Sequence, residues 1–111
     1  MLSSSALTRP FCVDVAPGRD EIVVEAIGEL DLQSAGMLQD EVTRLRRDGH
    51  DHIVVDLRQV EFIDSTGLRV LIGLHKAAQS EGRAITLAPG PRQVQRIFEL
   101  TATHQLFDWR D

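Results

Sequence analysis

The chain has 111 residues, 42% of them apolar and 26% charged, which is enough apolar material for one core and too little length for two domains closing on a substrate. Twelve basic against seventeen acidic side chains leave a net charge of −5, a sign that repels a phosphodiester backbone and excludes general nucleic-acid binding. No apolar run approaches the roughly 18 residues of a membrane span, and no cationic leader opens the chain, so a cytoplasmic setting without membrane insertion is expected.

Residues 1–9, rich in serine and small side chains without periodicity, are expected to form a flexible N-terminus ahead of one folded domain over 10–111. Phe11 to Val15 and Glu21 to Ile27 are dense in β-branched residues, and Pro17-Gly18-Arg19-Asp20 between them is a turn, which predicts a hairpin. Cys12, the single cysteine, falls in the first of these strands, where a buried free thiol in a reducing compartment is expected. After Gly28, Ala35, Leu38, Val42 and Leu45 recur at helical spacing, with Asp40 and Arg44 expected to pair on the outer side. Asp31 or Ser34 would cap the start of this helix, and Gly49 stands just past its end. Arg44, Arg46 and Arg47, set among Asp40, Glu41 and Asp48, read as a solvated, salt-bridged face.

Ile53-Val54-Val55 with Leu57, interrupted only by Asp56, predicts a central strand covered on both faces. Val60 to Ile63 then gives way to the polar cluster Asp64-Ser65-Thr66, and a helical pattern runs from Leu68 to about Gln79, ended by Gly82. Ala84 to Ala88 predicts a short strand and Pro89-Gly90 a turn. Pro91 suits the first residue of a helix carrying Val94, Ile97 and Phe98 on one face, and Leu106, Phe107 and Trp109 form a last short element. The order implies an α/β domain with a mixed four- to five-stranded sheet and helices packed on it.

Two features of the middle segment bear on function. Leu68, Val70, Leu71, Ile72 and Leu74 point to almost every side of their helix, which fits either a sandwiched helix or one with an apolar docking face. Ser65 lies at the strand-to-helix turn, where its hydroxyl would accept from amides of the first helical turn, and where an exposed position at the positive end of a helix tolerates a phosphate group.

Gly28-Glu29-Leu30-Asp31, Val54-Val55-Asp56-Leu57, Phe62-Ile63-Asp64-Ser65-Thr66-Gly67-Leu68 and the closing Ile97-Phe98-Glu99-Leu100 with Leu106-Phe107 together resemble the STAS domain of bacterial anti-sigma factor antagonists. The resemblance runs from about residue 11 to 108, with Asp-Ser-Thr-Gly-Leu its most specific part. It implies a non-enzymatic STAS domain that binds an anti-sigma factor serine/threonine kinase, frees a sigma factor, and is switched off when the kinase phosphorylates Ser65, with a serine phosphatase to reset it. It further implies a partner-binding surface of Asp31, Asp64, Thr66, Gly67, Leu68 and Arg69, and no cofactor. Arg69 stands where many members have glycine, and Ala102-Thr103 replaces a Gly-Leu pair, a departure that bears on the C-terminal turn.

Other readings of the same residues are a STAS scaffold subunit of a stress-signalling complex and an accessory subunit of a lipid or anion transporter. A small serine hydrolase with Ser65 as nucleophile and His75 as base lacks the Gly-x-Ser-x-Gly elbow, and ten helical residues put the pair about 15 Å apart. His50 and His52 read as solvated side chains rather than a metal pair, since no second ligand cluster accompanies them.

Overall fold

A hairpin opens the sheet: β1 (Cys12–Pro17) runs antiparallel to β2 (Ile22–Leu30), and every later pairing is parallel. β3 (His52–Ile63), β4 (Ala84–Ala88) and β5 (Asp108–Trp109) complete a five-stranded sheet in the spatial order β1-β2-β3-β4-β5. Three helices connect the strands, α1 (Ala35–Arg47), α2 (Ser65–Ser80) and α3 (Arg92–Leu100), with a 3-10 turn at His104–Leu106 before the last strand. This computed structural model describes residues 10–110, so the flexible end expected over 1–9 lies outside the described residues. Among those described, no helix is long and apolar enough to cross a membrane.

Strand alternation decides which side chains enter the core. Val24, Ala26, Ile53, Val55, Leu57, Ile85 and Leu87 share one cluster with Leu38, Val42, Leu71, Val94 and Phe98 from the helices. α1 and α2 pack side by side, α1 over β1 and β2 and α2 over β3 and β4, while α3 packs on β3. The same alternation exposes Cys12: Val13 packs on the core, so its neighbour on the edge strand faces out, against the burial expected for the thiol. Within β3, Asp56 is buried beneath the Arg58 guanidinium, whose Nη2 donates at 2.8 Å. Burial pushes the Asp56 carboxyl up, but the Arg58 side chain and backbone amide overcome this and hold it below the ordinary carboxylate range.

Several boundaries and pairings differ from the sequence reading. β2 and β3 each run several residues further than expected, and their pairing survives through two register shifts, between Glu25 and Ile27 and between Gly28 and Glu29. Arg44 pairs with Glu41 and Asp48 instead of Asp40. Arg46 is structural, donating to the carbonyls of His50, Asp51 and Ala84, so only part of that cluster is a solvated face. His52 bonds Thr86 Oγ1 across the β3–β4 pair at 3.1 Å and is not simply solvated. Pro91 takes the N-cap position of α3, one residue before the first helical one.

All three helices end in the same way. The amides of His50, Arg83 and Thr103 reach back to the carbonyls of Leu45, Ala78 and Phe98, and those of Gly49, Gly82 and Ala102 to Arg46, Gln79 and Glu99. The left-handed residue is glycine at the first two ends and Ala102 (φ 56°) at the third. The departure at Ala102-Thr103 therefore leaves the hydrogen bonding of the turn in place and loads it with backbone strain.

Candidate functional site

Because β2 and β3 are parallel neighbours that finish on the pair Leu30 and Ile63, the turns that follow them abut. The first covers Asp31 to Ser34 and leads into α1; the second is Asp64, leading directly into α2. One carboxylate joins them. Asp64 Oδ1 accepts from the Gly67 amide at 2.9 Å, which caps α2, and Oδ2 accepts from the Leu32 amide of the other turn at 3.1 Å. The backbone of Asp64 repeats the link, donating to the Leu30 carbonyl at 3.2 Å. Gly67 makes this approach sterically feasible, since a Cβ there would stand 2.5 Å from the Leu30 carbonyl oxygen and 3.0 Å from Ile63 Cγ1.

Asp31 organises the first turn. Its Oδ1 accepts from the amides of Gln33 and Ser34 at 3.0 and 3.1 Å. Ser34 stands at the N-cap position but gives α1 no side-chain cap; its buried hydroxyl donates to the Glu29 carbonyl at 2.5 Å and accepts from the Asp31 amide at 2.9 Å. The hydroxyl is thus spent on closing its own turn. Of the two caps expected, Ser34 gives none, whereas Asp31 Oδ1 holds the amides two and three residues on, in the turn that leads into α1.

Ser65 is the counterpart on the second turn, and its surroundings differ. It is the first residue of α2, exposed, and its hydroxyl enters no hydrogen bond among the described residues. The capping expected of Ser65 is performed by Asp64, whose extended backbone (φ −106°, ψ −175°) aims one carboxylate oxygen at the Gly67 amide.

Of the other residues singled out, Asp31, Asp64 and Thr66 are half-buried, Arg69 is exposed, and Gly67 and Leu68 are buried. Leu68, at 6% exposure, belongs to the core, as do Leu71 and Leu74. Val70 and Ile72, half-buried, pack against that core as well, so most of the apolar surplus of α2 is engaged within the domain. The exposed apolar groups at this end of the sheet include Leu32 (75% exposed), held by its amide on Asp64, and Phe62 (49% exposed). Sequence reasoning passed over both, although an apolar residue between Asp31 and Gln33 and a strand residue out of phase with Ile63 carried the signal. His75 is buried against Phe107, with ring centroids 5.4 Å apart.

The chain matches known proteins at three levels. The STAS domain family model matches residues 14–111. The anti-sigma-B factor antagonist of Bacillus subtilis is 31% identical over 86% of this chain and 87% of its own length. The crystal structure of an anti-sigma factor antagonist from Mycobacterium paratuberculosis superposes with a TM-score of 0.81, at 24% identity and covering 92% of this chain and 88% of that one. The Bacillus cell fate determinant SpoIIAA, solved in its phosphorylated form, shares the fold with a TM-score of 0.67 at 16% identity and 92% coverage of both chains. With these matches spanning both turns and the five-stranded sheet behind them, the chain belongs to the STAS domain family.

Proposed function

We propose that this domain, residues 10–111, is an anti-sigma factor antagonist. It binds an anti-sigma factor serine/threonine kinase at the joined turns, so releasing a sigma factor, and phosphorylation of Ser65 by that kinase ends the interaction. The observation that carries this reading is the free, exposed hydroxyl of Ser65 on a turn whose capping is done by Asp64. Its modification removes no bond from the fold. The name of the Bacillus subtilis relative and the phosphorylated state of SpoIIAA support it.

In the transfer, Ser65 Oγ forms a bond to the γ-phosphorus of ATP held by the kinase, the bond to the ADP oxygen breaks, and the hydroxyl proton passes to a base of the kinase. This chain acts as substrate, with no catalytic residue of its own and no cofactor. Asp31, Thr66 and Arg69 offer side chains to the partner, together with Leu32. Asp64, Gly67 and Leu68 contribute by shaping the turn. A phosphoserine brings about −1.5 to −2 charges at neutral pH, and burying it against a surface fitted to a neutral hydroxyl costs several kcal/mol, so affinity drops by orders of magnitude. A serine phosphatase resets the cycle.

The test is incubation with candidate serine/threonine kinases and ATP, read by intact mass and by complex formation. The expected result is one phosphoryl group on the parent, none on Ser65→Ala, and a complex that dissolves on modification. Equal labelling of both proteins overturns the assignment.

A further inference from the structure

We infer that Arg69 is the counter-cation of a phosphorylated Ser65, closing a phosphoserine–arginine pair across one turn of α2 and so withdrawing its own charge from the partner surface. This rests on the reading of Ser65 as the modified residue. Ser65 and Arg69 are both exposed and four residues apart in α2, a spacing that sets side chains on one face about 5–6 Å apart at Cβ. The anion precedes the cation along the helix, the more favourable order. Arg69 is free to take the role, since it enters no ion pair or hydrogen bond among the described residues.

The two aspartates of the joined turns are already engaged. Both Asp64 oxygens accept from backbone amides, of Gly67 and Leu32, and Asp31 Oδ1 accepts from Gln33 and Ser34. Neither carboxylate pairs with Arg69, and both repel a phosphate. Arg69 is the one cation among residues 31–34 and 64–69, and its guanidinium fork offers two parallel N–H donors to phosphate oxygens. Modification thus changes the surface twice: a dianion appears at residue 65, and a cation that had been available to an acidic group of the partner is captured.

The experiment installs phosphoserine at residue 65 during translation, without a kinase, in the parent, Arg69→Gln and Arg69→Lys proteins. The phosphorus NMR shift is then titrated at low and high salt. A nearby cation favours the dianion, so the second ionisation, near 6 for a free phosphoserine, should lie about 0.3 of a pH unit lower in the parent than in Arg69→Gln. Arg69→Lys should recover part of the shift, and high salt should narrow it. The Nε–H resonance of Arg69 should also move on phosphorylation of the parent, a reading that needs no variant. Equal midpoints in the three proteins with an unmoved Arg69 resonance overturn the pair. Because no kinase enters this test, a failed kinase assay counts against the reading of Ser65 alone, and equal midpoints count against the pair alone.

Discussion

The two strand-to-helix turns carry the same residue types, an aspartate followed closely by a serine, and use them in opposite ways. In the first, Asp31 and Ser34 bond each other and the Glu29 carbonyl, and the serine is buried. In the second, Asp64 alone meets the structural demand, of its own helix and of the neighbouring turn, and Ser65 is left in solvent. A hydroxyl becomes available for chemistry when a neighbouring group has taken over its structural duty. The contrast is therefore measurable as a difference in stability between variants of equivalent residues.

The most disruptive way to break the arrangement is to force the turns apart. Gly67→Ala places a Cβ 2.5 Å from the Leu30 carbonyl oxygen, a backbone atom that cannot swing aside. Destabilisation of about 3 kcal/mol or more is expected, read from the midpoint of urea unfolding. Loss of less than about 1 kcal/mol would mean that the turns are not held in contact.

Removing the clasp itself comes next. Asp64→Ala orphans the Gly67 amide at the start of α2 and the Leu32 amide across the gap, for a combined cost of about 2 kcal/mol. Asp64→Asn keeps one acceptor oxygen and should recover the cap but not the clasp, bringing the loss to about half. Leu32 amide exchange should accelerate in both variants. Unchanged exchange would remove Asp64 from its bridging role.

How much of this was legible in the sequence depended on whether the deciding contact was local. The run Ala84 to Ala88 between Gly82 and Pro89 is bounded by its own punctuation, and the strand falls on those residues. The hairpin is likewise marked by its own turn residues, although β1 takes in Pro17 and β2 runs on to Leu30, and Gly49 and Gly82 stand past the helix ends as expected. α2 was expected from Leu68, because Ser65-Thr66-Gly67 are weak helix formers; the Asp64 cap draws them into the helix. The clasp joins residues 32 positions apart, and no periodicity contains it. The extension of β3 through Arg58 to Glu61 likewise depends on register shifts against β2, which only the paired strands define. Ser65 is recognisable in the sequence as exposed at a helix start, yet its freedom from capping rests on Asp64 holding the Gly67 amide.

Within the first turn, Ser34→Ala sharpens the comparison. The substitution leaves the Glu29 carbonyl and the Asp31 amide without a partner in a turn where the serine is 6% exposed. A loss of about 1–2 kcal/mol is expected from unsatisfied buried groups, smaller than for Asp64→Ala because Asp31 still holds the Gln33 and residue 34 amides. A neutral result would show that the buried hydroxyl bonds are dispensable.

Ser65→Ala completes the pair and carries the smallest expected effect on the fold. The hydroxyl it removes has no partner, the methyl it leaves is a better helix former than serine, and the Asp64 cap remains. Stability should therefore stay within about 0.5 kcal/mol of the parent, in either direction. The decisive comparison is of two serine-to-alanine changes in adjacent turns, one lowering the urea midpoint and the other leaving it in place. If Ser65→Ala destabilised as much as Ser34→Ala, the hydroxyl would have a structural duty after all. Its phosphorylation would then have to act by loosening α2 instead of by changing the charge of a standing surface. A stable Ser65→Ala protein that still forms the partner complex, and keeps it in the presence of ATP, is the outcome that joins the free hydroxyl to the switch.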